Sequence, residues 1–92
     1  MEIEFDPDKD QINRRKHKLS LADAVLMDFP NAVSIPDMRH AYGEDRLRAY
    51  GMIHGRLHVL AYTMRGDIMR AISLRKANTR EGERYGKKHG LD

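Results

Sequence analysis

The feature that most constrains this chain is the stretch from Arg46 to Arg75, where three β-rich runs are separated by His54-Gly55-Arg56 and by Arg65-Gly66. Branched and aromatic residues broken at glycines read as two consecutive hairpins, and so as a three-stranded antiparallel sheet. A three-residue first loop, with glycine at its bulge position, pairs Ile53 with Leu57, Gly51 with Val59 and Ala49 with Ala61. A two-residue second loop pairs Thr63 with Ile68, Val59 with Ile72 and Leu57 with Leu74. These registers agree on one apolar face: Leu47, Ala49, Gly51, Ile53, Leu57, Val59, Ala61, Thr63, Ile68, Ile72 and Leu74. A slip of one residue would turn every side chain of a strand to the other side, so the agreement carries weight. The opposite face holds Arg46, Arg48, Tyr50, Met52, His58, Leu60, Tyr62, Met64, Met69, Ala71, Ser73 and Arg75. Arg70 is the misfit. It falls on the apolar face between Ile68 and Ile72, where it needs an edge or a buried partner.

Upstream, Ile3 and Phe5 alternate with Glu2, Glu4 and Asp6, which predicts a short half-buried strand. Asp6-Pro7 reads as an N-cap followed by proline at the first helical position, opening a polar helix to about His17 with Ile12 as its apolar anchor. Ser20 to Asp23 has capping-box spacing, and a second helix carries Leu21, Ala24, Val25 and Leu26 on one side until Phe29-Pro30 stops it. The segment from Asn31 to Tyr42 reads as a loop with a brief strand at Ala32 to Ile35. After Arg75-Lys76, Asn78 to Glu81 forms a capping box for a last helix, which Gly82, Gly86 and Gly90 weaken. The class is therefore α+β, in a single domain over 1–92 without repeats or linkers.

At 92 residues the chain buries one core. It has no cysteine, which excludes disulfides and a cysteine zinc site and fits the cytoplasm. Neither a signal peptide nor a membrane span is expected. The net charge is +3, with acidic residues gathered in Glu2 to Asp10 and most arginines between Arg46 and His89. A basic half suits an anionic partner, nucleic acid or an acidic protein, and equally a solvated surface.

The histidines make no metal site, because the glycine turn between His54 and His58 removes helical ligand spacing. No cofactor is expected, since phosphate-binding glycine loops and nucleophile elbows are missing. The arginine-bearing face fits single-stranded RNA: guanidinium forks hold phosphate oxygens and tyrosine rings stack on unpaired bases. An ordinary face packed under a helix would look the same in sequence.

Several segments follow one another in a distinctive order: Glu4-Phe5-Asp6, Lys9, Asn13, Lys16-His17, Gly43-Glu44-Asp45-Arg46, Gly51 and Gly55-Arg56-Leu57. Tyr62-Thr63, Arg65, the run Arg70-Ala71-Ile72-Ser73-Leu74-Arg75-Lys76-Ala77, Thr79, Glu81 and Tyr85 complete the pattern. Over residues 4 to 85 it resembles the BrnT family of toxins from type II toxin–antitoxin systems. Two positions depart from the family: Phe5 replaces a usual tryptophan, and Lys18 stands where a glycine usually follows the histidine.

The resemblance implies a RelE-like fold and metal-independent RNA cleavage that arrests growth. It also implies neutralisation by a ribbon-helix-helix antitoxin, BrnA, in a complex that binds operator DNA through the antitoxin, with a 2:2 hetero-oligomer as one form. RelE-like toxins rely on Lys, Arg and Tyr. On that basis Arg75 and Lys76 are assigned to the reacting phosphate, with Arg46 or Arg48 adding positive charge. His17, His58 and Tyr62 are the alternatives for proton transfer, and the residues do not choose among them. Arg80 and Tyr85 are assigned to RNA contact from the last helix. Arg70 is assigned either to RNA or to a structural ion pair. Lys16-His17 serves equally well as a cationic cap for the first helix. A non-catalytic RNA-binding module and a partner docking an acidic protein are the competing classes.

Overall fold

A computed structural model describes residues 2–39 and 41–86. The sequence's capping and turn signals set out its elements: β1 (Glu2–Glu4), α1 (Pro7–His17), β2 (Val33–Pro36), β3 (Leu47–Ile53), β4 (Arg56–Arg65), β5 (Ile68–Lys76) and α2 (Thr79–Tyr85). Asp6 caps α1 by accepting from the Asp8 N–H at 2.8 Å. Acidic Asp8 and Asp10 occupy the first turn of α1 and Arg14 to His17 the last, matching the helix dipole at both ends. The Ser20/Asp23 capping box is present, but what it opens is a 3-10 helix over Leu21–Leu26 rather than an α-helix. Only six residues separate Ser20 from Met27, where the chain returns to extended backbone, so an α-helix has little room to develop.

The strands form one five-stranded mixed sheet in the order β1-β5-β4-β3-β2. β1 runs parallel to β5, pairing Glu2 with Ile68 and Glu4 with Arg70. β2, the brief strand expected near Ala32, pairs antiparallel with β3.

Both hairpin registers differ from the expected ones. His54 and Gly55 both take positive φ, 49° and 75°, and turn the chain as a two-residue loop, so Ile53 meets Arg56 and Gly51 meets His58. Two consecutive positive-φ residues are the hairpin turn whose twist suits its strands, and this preference overrides the three-residue reading. The second loop is Gly66-Asp67, pairing Arg65 with Ile68, and a bulge opposite Ala61/Tyr62 leaves Ile72 without a partner on β4.

The one-residue slip turns β4 over. Leu60 and Tyr62 join Leu21, Ala24, Met27, Ala49, Ile53, Met69, Ala71 and Leu74 in the core beneath α1 and the 3-10 helix. Leu57 and Val59 lie on the other face with Tyr50, Ala77 and Tyr85, beneath α2. Both faces are therefore apolar at their centres. Burying a residue such as Leu60 or Leu74, each fully enclosed, contributes roughly 1.5–3 kcal/mol. Gly51 lies where a Cβ would stand 2.7 Å from the Met27 side chain and 3.1 Å from the Ala32 methyl, so Met27 packs directly on the strand backbone.

The slip also accounts for Arg70. It stands opposite Glu4 in the parallel register, and its Nη1 meets Glu4 Oε1 at 3.2 Å. The neighbour that enters the core is Met69.

Candidate nucleic-acid interface

The face covered by α2 carries the arginines. Arg48 comes from the middle of the sheet and Arg75 from the end of β5, opposite Val59. The Tyr50 and Tyr85 rings stack between the sheet and α2, with centroids 3.9 Å apart and planes 20° from parallel. Arg48 Nη1 donates to the Tyr50 hydroxyl at 3.0 Å. Arg75 makes a two-pronged ion pair with Glu81, Nη1 to Oε1 at 2.7 Å and Nη2 to Oε2 at 2.8 Å. The same Glu81 accepts from the Asn78 N–H at 2.9 Å, so the carboxylate that starts α2 also fixes Arg75. Arg75, chiefly by hydrogen bonding, holds the Glu81 carboxyl below its usual range, and Glu81 in turn raises Arg75.

A third arginine arrives from the β2–β3 loop. Asp37, only 5% exposed, accepts from Arg39 Nε and Nη2, both at 2.8 Å. These hydrogen bonds outweigh burial and hold the Asp37 carboxyl well below the carboxylate range. Arg48 Nε lies 4.0 Å from the same carboxylate, too far for a hydrogen bond, and has no partner among the described residues. Arg39 and Arg48 flank the same Asp37 carboxylate, and the charges of Arg48 and Arg75 both lower Glu81. Arg39, Arg48 and Arg75 thus converge on one face, each already tied to a carboxylate or a phenol.

The other expected residues fall in several places. His17, at the end of α1, lines a small cleft with Lys16, Ile72 and Ser73, and the charge of Arg75 reaches it. Burial first, then the charges of Arg75 and Lys16, lower its pKa from the ordinary histidine value and so favour the neutral imidazole. Arg46 precedes β3, pairs with Glu44 at 3.3 Å and covers the Tyr42 ring at 4.0 Å, lining a cleft of about 740 Å³ in the β2–β3 loop. Tyr85 stacks on Tyr50, and Arg80 is exposed on α2. Arg70 is held by Glu4.

Three candidates stand on the side of α1. Tyr62 is 7% exposed in the main core, its hydroxyl donating to Ser34 Oγ at 3.1 Å. His58 is 4% exposed, its Nδ1 bonds the Arg56 carbonyl at 2.8 Å, and burial depresses its pKa. Lys76 pairs with His58 across the strands and lines the same small cleft. The expected face that combined Arg48, Tyr62, His58 and Arg75 is thus divided between the two sides of the sheet.

Arg39, Tyr50 and Glu81 are the functional candidates that sequence reasoning did not single out as site residues. Glu81 had a signal, its capping-box position six residues after Arg75. Arg39, in an irregular loop, had none.

Residues 5–81 match the family model for BrnT, the ribonuclease toxin of type II toxin–antitoxin systems. Among solved structures, the 1.1 Å crystal structure of the Brucella abortus ribonuclease toxin BrnT is similar, with a TM-score of 0.70 and 30% sequence identity. That match covers 86% of this chain and 99% of the Brucella chain. No curated protein matches the sequence. Sheet, terminal helices and family match together define the class, ribonuclease toxins of type II toxin–antitoxin systems. Within that class the chain belongs to the BrnT family, as the resemblance over residues 4 to 85 implied. Such a toxin acts on RNA and is paired with an antitoxin. No helix among the described residues is long and apolar enough to cross a membrane.

Proposed function

We propose that this chain is itself an active, metal-independent endoribonuclease whose reacting phosphate is held by Arg75 and Arg48, with His17 as the general base. One observation carries this reading: Arg48 and Arg75 stand on one face of the sheet around the Tyr50–Tyr85 stack, with a third arginine, Arg39, sharing Asp37 with Arg48. The ribose 2′ oxygen attacks phosphorus, and its proton passes to His17. The bond to the 5′ oxygen breaks, that oxygen takes a proton from solvent, and a 2′,3′-cyclic phosphate remains. A guanidinium fork matches the geometry of the crowded phosphorane and its growing charge. Lys76, His58 and Tyr62, on the far side of the sheet, are outside this arrangement. In the cell, the reading places the toxin in the cytoplasm, neutralised by a BrnA-like ribbon-helix-helix antitoxin in a 2:2 complex on operator DNA.

The test is cleavage of a defined RNA in chelator, with product ends analysed for cyclic phosphate. Arg75→Ala should slow cleavage by roughly 10²–10³-fold, the usual effect of losing one donor to developing charge. A general base must be unprotonated, so the wild-type rate should fall on the acid side of an ordinary histidine, and His17→Gln should remove that acid limb. Undiminished cleavage by Arg75→Ala would overturn the assignment. Tight RNA binding without product would make the chain a binder and not an enzyme.

A further inference from the structure

Lys9, Ile12, Asn13 and Lys16 are spaced by three, one and three residues, so they share one face of α1. An amphipathic helix would turn an apolar stripe to its sheet, but this face is basic and meets the edge of β5. β1 pairs only with Ile68 to Arg70, so the outer edge of β5 beyond Ala71 carries no strand. Asn13 satisfies Leu74 there, accepting from its N–H and donating to its carbonyl, both at 2.9 Å. Asn13 is thereby explained as structure. Lys9 and Lys16 are not.

Between helix and strand lies a groove of about 310 Å³, walled by Lys9, Ile12, Lys16 and His17 on one side and by Ile72 and Ser73 on the other. Among the described residues no carboxylate lines it. Of the two acids in α1, Asp10 is turned away to the Leu21 N–H, Ser20 and Arg14, and Asp8 is exposed in the first turn, at the Lys9 end of the groove and not in its lining. Ile12 is 45% exposed, an apolar side chain left open on the groove wall. Ile72 is the bulged residue, turned out of the ladder at this edge. His17, the last residue of α1, closes the groove at the end where β5 runs on from Ser73 to Arg75.

The geometry points to this groove as the track of the RNA strand flanking the cleaved phosphate, an extension that rests on the ribonuclease reading above. Lys9 and Lys16 lie about 10 Å apart along α1, at 1.5 Å per residue. They hold two backbone phosphates, while Ile12 and Ile72 cover the base between them. Single-stranded RNA is the occupant because the walls offer cations and apolar surface without the carboxylates that would repel a backbone.

The experiment is a salt titration of RNA affinity, read by fluorescence anisotropy with a single-stranded oligomer blocked at its 2′ oxygens. Replacing both lysines (Lys9→Ala with Lys16→Ala) should lower the slope of log affinity against log salt by about 1.4, at roughly 0.7 per phosphate of a single strand. Arg65→Ala, at the distant hairpin, should leave affinity close to wild type. Thermal melting checks the fold, and the paired glutamine variants replace the alanine ones should those melt early. An unchanged slope in the lysine variants, with RNA binding lost in Arg75→Ala, would overturn the groove and leave the ribonuclease reading standing. Wild-type protein that binds no RNA at low salt would instead remove the reading on which the groove depends. Lysine variants that bind RNA normally but escape neutralisation by antitoxin would make the groove a protein-docking site, and would overturn the proposal.

Discussion

Two helices pack against one sheet in this molecule, and they are held by different chemistry. α1 lies along β5 and is fastened by side-chain bonds to backbone groups: Asn13, 3% exposed, bonds the Leu74 N–H, the Leu74 carbonyl and the Leu19 carbonyl. Asp10 adds the Leu21 N–H at 2.7 Å, so helix, strand and 3-10 segment are fixed as one unit. α2, only seven residues long, is fastened by a ring stack and an ion pair, Tyr85 on Tyr50 and Glu81 on Arg75. The contacts of α1 belong to the fold. Those of α2 belong to the arginine face, so an incoming phosphate must compete with Glu81 for Arg75.

The most severe way to break this contrast is Asn13→Ala. It removes three hydrogen bonds and leaves the Leu74 N–H and carbonyl unpaired at a buried edge. A loss of roughly 3–5 kcal/mol is expected, read as a cooperative drop in thermal stability. Tyr85→Ala should cost less, roughly 1–3 kcal/mol, and the loss should be local. Amide exchange should quicken in α2 while the Leu60 and Leu74 amides stay protected. Equal loss of protection in both places would show that α2 is as integral to the fold as α1.

Glu81→Gln sharpens the comparison further, because the variant keeps an acceptor for the Asn78 N–H and loses the charge. About 1 kcal/mol of stability should go at neutral pH. The folded-state pKa of Glu81 lies below its unfolded value near 4.5. Its contribution is therefore complete above that value and disappears as pH falls through the folded pKa. The variant's melting temperature should thus depend less on pH than wild type as the solution is acidified through and below the ordinary carboxyl range. An unchanged acid profile would mean that the ion pair stabilises nothing.

The same contrast separates what the sequence disclosed from what it withheld. Asp6-Pro7, Ser20/Asp23 and Asn78/Glu81 marked three element starts correctly, because capping is local chemistry written in adjacent residues. The hairpin faces were misread because Leu57 to Tyr62 is apolar on both sides, and a strand buried on both faces has no alternation to fix its register. The choice then fell to the turn, where His54 at positive φ was not anticipated. The candidate site inherited that error: Tyr62 and His58 were grouped with Arg75 by registers one residue out against β3 and two to three out against β5. Arg48 and Arg75 share their face in either register, which is why they survive. The link between Asn13 and Leu74 spans 61 residues, and no local pattern announces such a bond.

Lys18 gives the mildest test, and it concerns the end of α1. This residue closes the helix at φ 60° and ψ 26°, with its N–H donating to the Arg14 carbonyl at 3.0 Å. That left-handed conformation suits glycine, the residue that the sequence resemblance led one to expect at this position. A side chain there costs about 1–2 kcal/mol of steric strain, partly offset by glycine's greater freedom when unfolded, roughly 0.5–1 kcal/mol. The lysine Nζ recovers little from an exposed 3.3 Å bond to the Arg15 carbonyl. Lys18→Gly should therefore stabilise the protein by about 0.5 kcal/mol, measured by denaturant unfolding. It should leave RNA cleavage unchanged, since α1 is already anchored by Asn13 and Asp10. A gain in cleavage without a gain in stability would mean that the position of His17 depends on this turn, and that α1, like α2, is coupled to the arginine face.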